Sequence, residues 1–344
     1  MERLRVGDAC DVLIGRNLLD APTVLPERPG RAAAAVLAQP GSERAARTVV
    51  EHLEGAGVRS PLRVLPDGEA AKTSEVAADV WSWLAEERIG RADTLVGVGG
   101  GALSDVAGFV AATFLRGIEA VTVTTTLVGA VDAAIGGKTA LNLGGKNLVG
   151  VFRHPTRIVI DLSILETLPE PLIREGAAEA LKTGMVGDPA LVGLYERDGL
   201  LADLGEVVRR SVAVKAGIVN RDPTEQGERA HLNYGHTIGH AVERAAGMPH
   251  GWAVAVGMVA AARASHRLLG FEDEERQRAI LERLGLPTAA PPVRASEVRY
   301  LVELDKKRDA AGIRMVLLEA VGAPRVRHVD SATVDAALAA VGIP

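Results

Sequence analysis

Through the first half of this 344-residue chain, short aliphatic runs alternate with stretches carrying apolar residues at helical spacing, and that alternation restricts the possible folds severely. Residues 33–37 form one aliphatic run, and a helical pattern follows from Ser42, a candidate N-cap, through Val49, Val50 and Leu53 to Gly55. Residues 62–65, 94–98 and 120–124 are further strand candidates, and residues 74–87 carry Val76, Val80, Trp81 and Leu84 on one helical face. Repeated strand–helix–strand units imply parallel pairing with helices on both faces of the sheet, and such sheets bind ligands beyond the carboxyl ends of their strands. After Ile164 the pattern changes, and residues 171–185, 204–219, 236–246, 252–269 and 272–284 all favour helix. A chain of this length exceeds what one core usually serves, so an α/β lobe followed by a mostly α-helical lobe is expected.

Composition narrows the partners. The apolar share is 47% but the aromatic share only 3%, which leaves Ala, Val and Leu to build the cores. A formal charge of −5 without long runs of one sign offers neither a footprint for nucleic acid nor a polybasic membrane tether. The single Cys10 excludes an internal disulfide framework and a thiolate metal cluster. The opening residues lack the apolar core of a secretory signal, and no apolar run is long enough to span a bilayer, so a soluble cytoplasmic protein is expected.

Four of the eight histidines fall between positions 231 and 250. His236 and His240 stand four apart and would share one helical face, a pattern suited to a metal site. Periodicity pairs those two, whereas His236 with His250 and a carboxylate is a second donor set of the kind that leaves positions open for substrate. The protease pattern H-E-x-x-H fails because position 237 is threonine. The carboxylate candidate is Glu179, preceded by three tiny residues and followed one turn later by Lys182.

Three glycine-rich segments point to anion binding. Gly97 and Gly99-Gly100-Gly101 follow a strand candidate and open a helix through Val106, Phe109 and Val110, so their backbone N–H groups can meet a pyrophosphate, or simply close a tight turn. The spacing G-x-G-x-x-G is not met, because position 102 is alanine. Lys138 and Lys146 each follow a glycine pair, with Thr139 and Asn147 beside them, and supply charge and donors suited to phosphate or carboxylate. Asp132 occupies the place of the first glycine of a P-loop, which rejects that motif. Arg116, followed by Gly117, is read as closing the preceding helix, where its charge suits the dipole.

Taken in order, Gly68-Glu-Ala-Ala-Lys72, Gly99-Gly-Gly-Ala-Leu-Ser-Asp105, Leu115-Arg-Gly117, Val131-Asp-Ala-Ala-Ile-Gly-Gly-Lys138-Thr, Gly145-Lys-Asn147, Ala178-Glu-Ala-Leu-Lys182, Leu232-Asn-Tyr-Gly-His236-Thr-Ile-Gly-His240, Pro249-His-Gly251 and Asp305-Lys-Lys307 resemble the 3-dehydroquinate synthase family over nearly the whole chain. The resemblance implies an NAD-binding α/β lobe over residues 1–163 with a mostly parallel, Rossmann-like sheet. It implies a mostly α-helical metal- and substrate-binding lobe over residues 164–344, and a site in the cleft between them. It makes Glu179, His236 and His250 the ligands of a divalent metal, zinc or cobalt, and moves His240 to substrate contact. Glu69, Lys72, Gly99, Gly100, Gly101, Asp105, Thr125, Thr126, Lys138, Lys146 and Thr167 are similar to the family's NAD contacts. Asp132, Lys138, Asn147, Lys182, Lys215, Arg229, Asn233, His240 and Lys306 or Lys307 are similar to its catalytic and substrate-binding residues. Arg116 resembles an arginine that reaches a partner subunit's site, which implies a homodimer.

The activity implied is conversion of 3-deoxy-D-arabino-heptulosonate 7-phosphate to 3-dehydroquinate and phosphate in the shikimate pathway, by transient oxidation with NAD, phosphate elimination, re-reduction and aldol closure. The chain departs from the family pattern at Trp252, where a glutamate is usual, at Thr124, where proline is common, and at Ala140, where glycine is common. The alternatives are another sugar phosphate cyclase, such as an aminodehydroquinate synthase, or a metal-dependent polyol dehydrogenase. A dehydrogenase would release NADH, whereas a cyclase releases phosphate without net NADH.

Overall fold

The computed structural model describes residues 1–7, 10–20, 24–306 and 312–344, with the side chains of Asp305 and Lys306 also outside the description. The chain divides into two compact units, Met1–Pro169 with Lys215–Thr224, and Glu170–Val214 with Glu225–Pro344. The expected boundary at 163–164 falls inside a short helix, Leu162–Leu165.

The first unit contains β1 (Glu2–Val6), β2 (Cys10–Gly15), β3 (Ala34–Ala38), α1 (Glu43–Gly55), β4 (Leu62–Val64), α2 (Ser74–Glu86), β5 (Thr94–Gly99), α3 (Gly101–Thr113), β6 (Glu119–Thr124), β7 (Lys138–Leu141), β8 (Val149–Phe152), β9 (Arg157–Asp161) and α4 (Leu162–Leu165). Seven strands form one sheet in the order β1-β2-β9-β6-β5-β3-β4. Every pairing in it is parallel except β1 with β2. Side chains alternate across this sheet as the two-residue period requires. Ala34, Val36 and Ala38 of β3 join Val96, Val98, Val121 and Val123 in a core closed by Ala46, Val49 and Leu53 of α1. Ala35 and Leu37 of the same strand join Leu95 in a second core, closed by Val80 and Leu84 of α2 and Leu103, Val106 and Val110 of α3. Helices therefore cover both faces, the architecture that the sequence alternation implies.

Two local readings change. Ser42 stands before α1, but its hydroxyl donates to the Val98 carbonyl at 2.6 Å and caps no helical N–H. Arg116 lies in a 3-10 turn past α3, where Leu115 and Arg116 both have positive φ, rather than in the helix's last turn. The β1–β2 and β7–β8 hairpins and β9 add strands that the aliphatic pattern leaves unread.

The second unit contains α5 (Glu170–Gly187), α6 (Pro189–Asp198), most of α7 (Leu204–Arg221), α8 (His236–Ala246), α9 (His250–Leu269), α10 (Glu274–Arg283), α11 (Ala295–Lys306), β10 (Ile313–Leu318), β11 (Pro324–Val329) and α12 (Ser331–Ala339). It is largely helical, and the antiparallel β10–β11 hairpin is an addition to the expected helices. No helix among the described residues is long and apolar enough to cross a membrane.

The pairing of α8 with α9 is unusually close. A Cβ on Gly257 of α9 would lie 2.7 Å from the Gly239 nitrogen and would overlap the Gly235 carbonyl oxygen, so only glycine lets the two backbones meet there. Gly193 of α6 has no such neighbour, its nearest being the end of the Arg197 side chain at 3.8 Å. Helix propensity alone favours alanine over glycine by about 1 kcal/mol at both positions. Gly193→Ala is expected to raise the denaturation midpoint and Gly257→Ala to lower it; a stabilised Gly257→Ala protein would contradict the close-packed crossing.

Candidate functional site

In the second unit, α5 carries Glu179 and Lys182 one turn apart within a continuously buried stretch from Gly176 to Val186. The N-terminus of α9 is drawn against α5 at Gly251, whose N–H donates to Glu175 Oε1 at 3.3 Å and where a Cβ would come within 2.6 Å of Glu175 Cγ. That contact sets His250, the first residue of α9, over Glu179. Gly235, with φ of 80°, turns the chain into α8 so that His236 is its first residue and His240 lies one turn on.

These side chains converge. Glu179 Oε1 lies 3.1 Å from His250 Nε2 and 3.8 Å from His236 Nε2, and Glu179 Oε2 lies 2.6 Å from Lys182 Nζ. Glu179 and Lys182 are fully buried, and Oε2 meets the ammonium as an ion pair at an angle that leaves it without a hydrogen bond. One nitrogen from each of His236, His240 and His250 falls within 4.8 Å of the others. The rings of His236 and His240 are 4.9 Å apart and those of His240 and His250 5.8 Å apart.

The outer ring nitrogens are tied down. His236 Nδ1 is 3.2 Å from the Tyr234 carbonyl oxygen, and buried Tyr234 is itself anchored by a 2.7 Å hydrogen bond from its hydroxyl to Gln277. His250 Nδ1 is 3.1 Å from Glu243 Oε2. Acceptors at both Nδ1 positions direct both Nε2 atoms inward, the arrangement by which metal-binding histidines are usually oriented. Burial works to raise the Glu179 carboxyl, but Lys182, the His250 hydrogen bond and His236 together hold it well below the usual carboxylate range. Burial, reinforced by Lys182, pushes His236 down to about 3, so its imidazole is neutral. Burial works to lower His250 too, but its hydrogen bonds to Glu179 and Glu243 prevail and lift it to about 10. An ionised, buried carboxylate beside inward-facing imidazoles is a donor set suited to zinc or cobalt.

In the first unit, the turn from β5 into α3 is stripped of side chains. A Cβ on Gly99 would lie 2.5 Å from Leu103 Cδ2, and one on Gly100 would lie 3.0 Å from Thr126 Cγ2. Gly100 is the N-cap of α3, and the first N–H groups of a helix, with its dipole behind them, are suited to an anion. Thr125 N donates to the Gly99 carbonyl at 3.0 Å, and Thr126 Oγ1 accepts from Gly129 N at 3.1 Å. Beside this turn, buried Lys72 donates to Asp105 Oδ2 and Asn147 Oδ1, each at 2.5 Å. Burial pushes the Asp105 carboxyl up to about 6 against the opposing pull of Lys72. Asn142 Nδ2 donates to Glu69 Oε2 at 2.8 Å while Asn142 Oδ1 accepts from Asn147 N at 2.9 Å, which links Glu69, Lys72, Asp105 and Asn147 into one network. Lys215 Nζ donates to both Oδ1 and the carbonyl oxygen of Asp132 at 2.5 Å.

The remaining candidates are more scattered. Lys138 and Lys146 are exposed. Thr167 is exposed just past α4, with its hydroxyl on the Ile164 carbonyl. Arg229 is buried in the turn Glu228–Asn233, and Asn233 donates to Glu225 Oε1 at 3.0 Å. Lys307 and the side chain of Lys306 lie outside the described residues. Positive φ at the non-glycine residues Arg116, Asn147 and Glu225 marks strain on candidate segments, as functional loops often carry. Asn142, Glu225 and Glu243 were not singled out by the sequence. Only Glu243 had a signal there, lying seven residues after His236 on the same helical face.

Residues 62–175 match the sequence profile of the 3-dehydroquinate synthase N-terminal region, and residues 176–308 match the C-terminal one. The chain is 44% identical to a 3-dehydroquinate synthase of Thermobifida fusca over 329 residues, 92% of this chain and 89% of that protein. Among solved structures it is similar to 2-deoxy-scyllo-inosose synthase complexed with carbaglucose-6-phosphate, NAD+ and Co2+, with TM-score 0.89 at 24% identity over 98% of this chain and 99% of that one. It is also similar to 2-epi-5-epi-valiolone synthase from Streptomyces hygroscopicus subsp. jinggangensis 5008 with NAD+ and Zn2+ bound, with TM-score 0.88 at 25% identity over 99% and 98% of the two chains. The sugar phosphate cyclases thus share the fold, and the higher sequence identity lies with the dehydroquinate synthases. On these matches the chain belongs to the 3-dehydroquinate synthase family.

Proposed function

We infer that this chain is a 3-dehydroquinate synthase, a lyase that converts 3-deoxy-D-arabino-heptulosonate 7-phosphate to 3-dehydroquinate and inorganic phosphate in the shikimate pathway. The observation that carries the reading is the convergence of Glu179, His236 and His250 beside Lys182 and His240, in a chain of this family. When bound, NAD supplies a reversible hydride acceptor and a divalent metal supplies Lewis-acid polarisation of substrate hydroxyls. The presence of NAD+ and Zn2+ in the similar valiolone synthase structure supports both assignments.

Glu179, His236 and His250 hold the metal, since the fully buried carboxylate supplies charge and the two Nε2 atoms are aimed at it. His240, exposed on the same face of α8, is left to meet substrate. Zinc and cobalt both suit this donor set. In the first unit, the N–H groups of the Gly99–Gly101 turn receive the dinucleotide's phosphates, while Glu69, Lys72, Asp105, Thr125, Thr126, Lys146 and Thr167 complete its contacts. Lys138, Lys215, Arg229 and Lys306 or Lys307 bind the substrate's carboxylate and phosphate by charge-assisted hydrogen bonds, with Asp132 orienting Lys215. Asn147 and Asn233 add polar contacts, and Lys182 faces the substrate's anionic end while neutralising Glu179. In this reading the NAD-binding domain covers residues 1–163 and the metal-binding domain residues 164–344.

A homodimer belongs to the same reading. Leu115, Leu143, Leu148, Val149, Val151 and Phe152 are exposed large apolar residues on the β7–β8 hairpin and the turn that carries Arg116, and apolar exposure concentrated in this way supports association. A cytoplasmic setting is also part of the proposal, supported by the family's metabolic role and by a lone, buried Cys10 thiol.

Three outcomes are expected. Metal-loaded protein given the heptulosonate phosphate and catalytic NAD releases phosphate and dehydroquinate in equal amounts with no net rise in absorbance from NADH; accumulation of NADH without phosphate would identify a dehydrogenase instead. Glu179→Gln and His250→Ala each weaken zinc binding by at least about a hundredfold in chelator competition, whereas His240→Ala keeps its zinc and loses turnover. Zinc lost from His240→Ala and kept by Glu179→Gln would hand the ligand role to the three imidazoles. Phe152→Asp shifts the protein toward monomer in sedimentation without changing its zinc content, and an unchanged sedimentation coefficient would move the dimer contact elsewhere.

A further inference from the structure

We propose that Glu243 is a positioning residue of the metal centre, one that fixes the Nδ1–H of His250 and strengthens its Nε2 as a donor to a dication. The proposal rests on the reading of Glu179, His236 and His250 as ligands and adds a residue that acts through His250.

Helical register brings Glu243 to the place. His236, His240 and Glu243 are spaced i, i+4 and i+7, so they line one face of α8, with Glu243 in the last turn. On that face Glu243 Oε2 meets His250 Nδ1 at 3.1 Å, and the Glu243 side chain is only 11% exposed. The two imidazoles are held in different ways. His236 leans on the Tyr234 carbonyl, a backbone acceptor that no substitution of a side chain removes. His250 follows Pro249 at the very start of α9, has a more exposed side chain, and depends on a carboxylate from another helix for its orientation. A carboxylate acceptor also makes an imidazole a stronger donor to a cation than a neutral carbonyl does.

Charge acts through the same histidine. Buried Lys182 sits 2.6 Å from Glu179 Oε2 and offsets part of the charge that Oε1 turns toward the two imidazoles. The Glu243 carboxylate acts at Nδ1, on the side of His250 away from Glu179, and so strengthens Nε2 as a donor.

The test compares Glu243→Gln, which keeps the size and one acceptor but loses the charge, with Glu243→Ala, which loses both. In full-length protein, zinc affinity measured by chelator competition is expected to fall about tenfold in the glutamine variant and up to about a hundredfold in the alanine variant. NAD affinity and the Tm of chelator-treated protein are expected to match the parent, and the cobalt-loaded alanine variant is expected to show a displaced d–d absorption band. Unchanged zinc affinity in both variants, alongside loss of zinc in His250→Ala, would overturn the role of Glu243 and leave the metal centre standing. Zinc retained by His250→Ala would overturn the ligand assignment and the proposal with it. An equal drop in Tm for both metal-free variants with an unaltered cobalt spectrum would assign Glu243 to packing and also defeat the proposal.

Discussion

A single buried carboxylate governs the second unit. Glu179 has no exposure to solvent, yet it is held ionised by Lys182 on its own helix and by His250 from α9. Removing one partner from a buried pair of this kind typically costs about 3–5 kcal/mol, because the remaining charge is stranded. The packing around it is correspondingly constrained. Glycine at 251 lets α5 reach the start of α9, and glycine at 257 lets α8 and α9 touch through their backbones. These contacts place two histidines from separate helices over one carboxylate from a third. The close crossing thus belongs as much to the chemistry of the centre as to the stability of the unit.

The first unit meets a different constraint, a helix start with no room for side chains beside it. Its sheet ends at a turn where Gly99 and Gly100 leave no space for side chains, and α3 begins there with its unsatisfied N–H groups. The network of Glu69, Lys72, Asp105, Asn142 and Asn147 fixes the neighbouring polar groups before any ligand arrives. Such preorganisation lowers the ordering cost of binding.

Much of this architecture was legible in the sequence, for identifiable reasons. Strands β3, β5 and β6 are buried on both faces, so they read as short runs rich in aliphatic residues, and α1 and α2 carry their apolar residues at helical spacing. Of the strands that escaped, β2 and β10 are also buried and aliphatic and simply went unread, while the others are of another kind. β1, β8 and β11 are largely exposed, and β1 and β11 interleave arginine with their apolar residues, so burial does not mark them. β9 is an apolar triplet flanked by Arg157 and Asp161, too short to be told from a turn of helix. For the site, helical periodicity made His236 and His240 visible as neighbours and would equally have revealed Glu243. It had no means of connecting Glu179 to His250, 71 positions apart, because that contact is made by tertiary packing. Resemblance to a family supplied that link. Asn142 and Glu225 stayed hidden because their roles depend on turn geometry, which residue type alone does not encode.

X-ray absorption at the zinc edge of the loaded protein counts the ligands without relying on activity. Two imidazoles and a carboxylate, with oxygen from solvent completing the shell at distances of about 2.0–2.2 Å, is the expected spectrum. A shell of three imidazoles, with no contribution lost in Glu179→Gln, would contradict it.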